Sequence, residues 1–261
     1  MKTPPLLRFA LVGLTALVVA SIAEVSAAQP RDPRKKIVIL VSEPEYDTAK
    51  SLPGFAAQFL EKDFRVVIVS GPTPAGDNTF DRMSEVADAD LLLISVRRRT
   101  PPKAELDLIR KHVAAGKPVV GIRTASHAFA LGKGQKLSEG GADWPDWDAD
   151  VIGDTYASHH GKGPIATVTA VKPAHPILRG LTLPFTSESS LYKSSPLRAG
   201  AEALLMGTIP GQKPEPVAWT FIRRDGGRTF HTSLGGPTDF KDHQFTQLLR
   251  NGIVWAAMGT Q

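Results

Sequence analysis

The chain has 261 residues, 42% of them hydrophobic and 22% charged, which suits one or two folded domains with a sizeable core and excludes a disordered or multispanning membrane chain. Its formal net charge is +5, but the 31 lysines and arginines are scattered and no nucleic-acid-binding motif accompanies them, so no nucleic-acid partner is expected. Without cysteine there can be no disulfide, no thiolate metal ligand and no cysteine nucleophile.

Lys2 and Arg8 form a basic start, residues 9–22 an apolar stretch, and Val25-Ser26-Ala27 a small-residue cleavage site. This pattern predicts a signal peptide over residues 1–27, and a periplasmic or secreted protein with no membrane attachment after cleavage behind Ala27 or Ala28. An uncleaved membrane anchor is the competing reading. Residues 29–35 read as a flexible lead-in to a domain over residues 36–261.

That domain opens with alternating strand and helix signals. Residues 36–41, 64–69 and 91–96 are β-branched or aliphatic runs, while residues 51–62 space their apolar side chains for a helix. Pro101 and Pro102 start a second helix through Leu106, Ile109 and Val113, and Gly116 ends it. His112 on this helix is expected in solvent, because its apolar neighbours define another face. The run 118–122 then turns sharply into Arg123, Thr124, Ser126 and His127, as a buried parallel strand does when it enters a helix. Beyond Ile165 the chain becomes richer in strands, at 165–171, 185–192, 204–209, 216–222 and 228–234, with Asp225-Gly226-Gly227 as a hairpin turn. It closes with a helix whose face carries Phe245, Leu248, Leu249, Gly252, Ile253 and Ala256. The expected fold class is α/β: a doubly wound, mostly parallel sheet of flavodoxin type with a β-rich second half and a C-terminal helix.

Parallel sheets fed by such units bind ligands beyond the carboxyl ends of their strands. The residues there are Ser42 and Glu43, Ser70 and Gly71, the run Arg97-Arg98-Arg99, and Arg123. The arginine run is either a solvated loop or a fork for carboxylates, phosphates or polarised sugar oxygens, with Glu43 or Asp47 as its partner when the site is empty. Glu43, Arg97, Arg123 and His127 are therefore expected to share a cleft. Ser126 reads as a helix cap rather than a nucleophile.

The segment 144–160 gathers Trp144, Trp147, Tyr156, His159 and His160 beside acids. Indoles and phenols stack on sugar faces while carboxylates bind hydroxyls, although two tryptophans near prolines also serve as core pegs. The adjacent histidines could ligate one metal ion only in an irregular loop, because neighbouring strand residues face opposite ways. Zinc would need a third ligand, which no residue supplies plainly, so no metal site is assigned, although a divalent metal remains compatible. Hydrogen bonding or proton transfer is the other reading of the pair.

The stretches AHPILRGL, TSESSLY with Glu188 and Tyr192, PVAW, GGRTFHTSLG and LLRNGIVWAAMG, with GIRTASHAF and the tryptophan-to-HHG segment before them, resemble the trehalose-utilisation (ThuA-like) family in that order. The resemblance covers residues 36–259 and implies a fold similar to the class I glutamine amidotransferase domain. In those enzymes the strand corresponding to residues 118–122 ends in a cysteine nucleophile; here the position is Arg123, so glutaminase activity is excluded. Many relatives also carry tyrosine in place of His231 and histidine in place of Gly236. The family's tie to sugar utilisation implies a small-molecule carbohydrate substrate. The enzyme reading is a hydrolase or lyase of a sugar or oxidised sugar. In it Arg123 binds a carboxylate or polarised oxygen, His127, His159 or His160 moves protons, and Glu188 orients a histidine or a substrate hydroxyl, with Trp144, Tyr156 and Tyr192 against the sugar. The alternative is a non-catalytic carbohydrate-binding module.

Overall fold

The computed structural model describes Met1 and residues 32–71, 78–137 and 139–259, and the expected signal segment beyond Met1 lies outside these residues. Strands β1 (Lys36–Ser42), β2 (Arg65–Ser70), β3 (Leu91–Val96) and β4 (Val119–Ile122) alternate with helices α1 (Thr48–Phe59) and α2 (Lys103–Ala114), as the periodicities require. The second half supplies β5 (Ser158–His159), β6 (Ala166–Ala170), β7 (Phe185–Ser187), β8 (Tyr192–Lys193), β9 (Ala201–Thr208), β10 (Glu215–Ile222), β11 (Arg228–Thr232) and the terminal α3 (His243–Met258). The run expected at 185–192 is thus divided into two short strands, and β5 and β8 form a separate small ribbon.

Nine strands form one sheet in the order β2-β1-β3-β4-β11-β10-β9-β6-β7. The first five are parallel, and β10, β9, β6 and β7 continue antiparallel, which is how the helix-poor second half extends the sheet without crossover helices. Successive residues of β1 serve opposite faces: Ile37, Ile39 and Val41 join α1 and α3 in one core, while Val38 and Leu40 join α2 and Trp147 in the other. The sheet is doubly wound, and the described residues from Pro33 onward form one compact unit.

The expected face of α3 is buried. At its centre a Cβ on Gly252 would stand 2.1 Å from the Phe230 ring, so only glycine lets the helix lie this close to β11. One expectation fails on α2: His112 is 4% exposed, because it stands one turn after Ile109 and shares its face. Its Nε2 lies 3.0 Å from the Pro118 carbonyl, and burial pushes its pKa down to about 4.

Candidate functional site

The parallel strands deliver their next residues to one edge. The Arg97 amide donates to the Ser42 carbonyl at 3.0 Å and the Arg98 amide to the His127 carbonyl at 3.1 Å, so the ends of β1, β3 and β4 adjoin there. Arg98 and Arg123 both adopt left-handed backbone, with φ of 50° and 46°. Such angles are costly for non-glycine residues and gather where a chain must turn sharply at functional sites.

Arg123 is 1% exposed. Its guanidinium lies 4.1 Å from the Tyr46 ring centre and 4.6 Å from that of Tyr192, and donates to the Ser233 carbonyl and to the Ser190 hydroxyl at 2.9 Å. Arg123 thus clasps the β4 turn to the loops after β7 and β11 and reaches the site through the two tyrosines it supports. Above it, His127 stacks on Tyr156 with centroids 4.5 Å apart, and Tyr156 lies 4.8 Å from Tyr192. The His127 Nδ1 is 3.0 Å from the Ser126 hydroxyl. Burial, followed by repulsion from Arg98 and Arg97, lowers the His127 pKa to about 3, so the ring is neutral near pH 7. Burial also raises the Tyr156 and Tyr192 phenols above their ordinary range.

At the rim, Arg97 and Glu45 pair at 3.1 Å, both partly exposed. Arg98 is half-buried, and desolvation and then the Arg97 charge lower its pKa. Tyr46 and Glu45 were not singled out by the sequence; the signal that finds them is position, since both follow β1, which ends at this edge.

The other expected site residues divide between support and separate locations. Glu43 is 3% exposed and accepts the Glu45, Tyr46 and Thr48 amides and the Thr48 hydroxyl, so its carboxylate is taken up in folding the β1–α1 loop. Glu188 faces solvent while Ser187 and Ser189 turn inward, as alternation along an extended segment requires. The acid inside is Asp239, which accepts the Ser187 and Ser189 hydroxyls and the Gly235 and Gly236 amides at 2.5 to 2.9 Å. His159 is exposed, whereas His160 turns the opposite way onto Glu215 at 3.1 Å, so the pair does not converge. Among the described residues no three histidine or carboxylate side chains are grouped to hold a metal ion. Trp147 is a core peg whose indole donates to the Ala125 carbonyl. Trp144 lies away from the cluster, half-buried under Arg110 in an open hollow of about 1180 Å3 bordered by Leu197, Arg198 and Phe221.

The α/β fold built on this sheet has known counterparts. A ThuA-like protein from Bacteroides uniformis shares the fold with a TM-score of 0.65 at 17% identity, over 90% of this chain and 96% of that one. A second, from Parabacteroides merdae, gives 0.60 at 19% identity over 87% and 91%. A GMP synthase protein from Thermoplasma acidophilum gives 0.53 at 14% identity over 86% and 94%, in keeping with the amidotransferase-like fold. No curated protein matches the sequence. The model of the ThuA family, described as trehalose utilisation, matches residues 38–256, nearly the whole of the folded part, and the chain belongs to that family.

Proposed function

We propose that this ThuA-family protein is an exported enzyme, a hydrolase or lyase, that acts on a sugar or oxidised sugar at the carboxyl edge of the parallel strands. The observation that carries the reading is the neutral His127 ring, held between Ser126 and Tyr156 with Arg97 and Arg98 beside it. A neutral imidazole donates a hydrogen bond from one ring nitrogen and accepts one at the other, so it can orient a sugar hydroxyl or polarise a carbonyl oxygen. The guanidiniums stabilise negative charge as it develops on a polarised oxygen. Tyr46 and Tyr156, both half-buried, offer ring faces and hydroxyls for the sugar. A non-catalytic module would favour exposed indoles along a groove; Trp147, Trp219 and Trp255 are buried and Trp144 is half-buried, which supports the enzyme reading.

Turnover of a panel of sugars, glycosides and their oxidised forms, with and without added divalent metal, tests the proposal. Cleavage of at least one panel member is expected, and saturable binding with no cleavage of any member would favour the accessory module. Export rests on the basic, apolar and small-residue pattern of residues 1–27. Mass spectrometry of the secreted or periplasmic protein is expected to find a new start at Ala28 or Gln29, and full-length protein held in the membrane would contradict it.

A further inference from the structure

The charges at the carboxyl edge do not balance. Arg97, Arg98 and Arg123 all bear on His127, and Arg97 and Arg98 both bear on Tyr156. Of the neighbouring acids, Glu43 is saturated by its own loop and Asp239 by two serines and two backbone amides. Glu45 remains for the arginines at the rim. It reaches Arg97 through a single contact, Oε1 to a terminal nitrogen at 3.1 Å, with about two-fifths of its side chain exposed. The Arg97 Nε is buried and has no hydrogen-bond partner among the described residues. A guanidinium fork normally engages a carboxylate through two nitrogens, so the Arg97 pairing is half made. A buried donor without an acceptor is costly and marks a place where an acceptor belongs.

We propose that the substrate of this site carries a carboxylate, that Arg97 is its anchor, and that Glu45 holds the anchor in the empty site and is displaced on binding. The inference rests on the reading of this edge as a sugar site and adds the substrate class, a sugar acid. Glu45 sits on the β1–α1 loop and not on the sheet, so its carboxylate can leave without disturbing a strand. Carboxylate is favoured over phosphate because the group now occupying the arginine is itself a carboxylate. Tyr156 shares its surroundings with Arg97, Arg98 and Glu45, which places a sugar ring bound through Arg97 next to the phenol and to His127.

Calorimetric titration of the whole protein with D-glucuronate, D-glucose and D-glucose 6-phosphate tests it. D-glucuronate is expected to bind at least tenfold more tightly than either of the others. Glu45→Gln, a change at an exposed side chain, is expected to tighten D-glucuronate several-fold and leave D-glucose unchanged, because a competing carboxylate is gone. Arg97→Met is expected to weaken D-glucuronate at least tenfold, and Arg97→Lys to recover little, since an ammonium lacks the planar fork. Equal binding of D-glucuronate and D-glucose, preference for the phosphate, or no gain from Glu45→Gln would overturn the proposal. The enzyme reading fails separately: Arg97-dependent binding of D-glucuronate by a protein that turns nothing over leaves this inference standing and removes that one.

Discussion

His231 occupies β11 with its ring 4.5 Å from that of Trp219, fully buried, and neither ring nitrogen has a hydrogen-bond partner among the described residues. Room for it comes from Gly121 on the paired strand, where a Cβ would fall 2.4 Å from its Nδ1. Burial, then repulsion from Arg123, pushes its pKa from 6.5 to about 3. The folded protein therefore refuses a proton that the unfolded chain accepts between those values. The stability this represents is complete above pH 6.5 and is lost as pH falls toward 3, by about 1.4 kcal/mol per pH unit for one group. His112 and His127 act in the same direction. Asp148 and Asp154, raised to about 7 and 8 chiefly by burial, act in the opposite one, because the fold keeps them protonated. His231→Phe isolates a single group: the difference in unfolding free energy between pH 7 and pH 5, from urea titrations, should shrink by about 2 kcal/mol relative to the parent. An unchanged difference would mean that His231 is protonated in the fold. Arg123 is also decided at this scale. Its hydrogen bonds to Ser233 and Ser190 join three segments, so Arg123→Met should cost about 2–4 kcal/mol in the same titrations. Stability equal to the parent's would return Arg123 to the role of a free ligand contact.

Between elements, Asp239 does for the loop after β11 what a metal or disulfide does elsewhere, holding Gly235, Gly236, Ser187 and Ser189 on one carboxylate. In Asp239→Asn an amide group must face some of those donors, and a loss of about 3 kcal/mol is expected in thermal or urea unfolding. Neither Asp239 nor Tyr46 was legible in the sequence, because the partners of both come from distant segments. Glu188 shows a signal that was present and unused: Ser187, Glu188 and Ser189 alternate, so the acid had to face away from the serines. His112 shows another, since a residue three after Ile109 returns to the same helix face. What the sequence did make plain were the elements with a strong period. Strand β3 lies at residues 91–96 as expected, and all six residues named for the inward face of α3 are buried. The order in which β10, β9, β6 and β7 pair was not legible, because alternation identifies a strand but not its neighbour. Gly252→Ala tests the packing of α3 on β11: with Phe230 in the way, the helix must shift, at about 1–3 kcal/mol.

For the whole molecule, the sheet order brings the ends of β1, β3, β4 and β11 side by side, so that residues far apart in the chain share one edge. Arg97, Arg98, Arg123, His127, Tyr156 and Tyr192 meet there, in a chain of the ThuA family, described as trehalose utilisation. The supporting residues beneath it, Arg123, Glu43 and Asp239, are bound to the backbone and set its shape, while His127 and Tyr156 are held by stacking and, in the proposed function, are the groups a substrate meets. Replacing His127 should therefore remove chemistry and leave the fold in place. The direct measurement is kcat/KM of His127→Asn on whichever sugar the parent turns over, beside the thermal midpoint of both proteins. A fall in kcat/KM of about a hundredfold or more, with the midpoint shifted by no more than about 4 °C, is the expected result. Full activity in a folded His127→Asn protein would contradict the account and move the chemistry away from this edge.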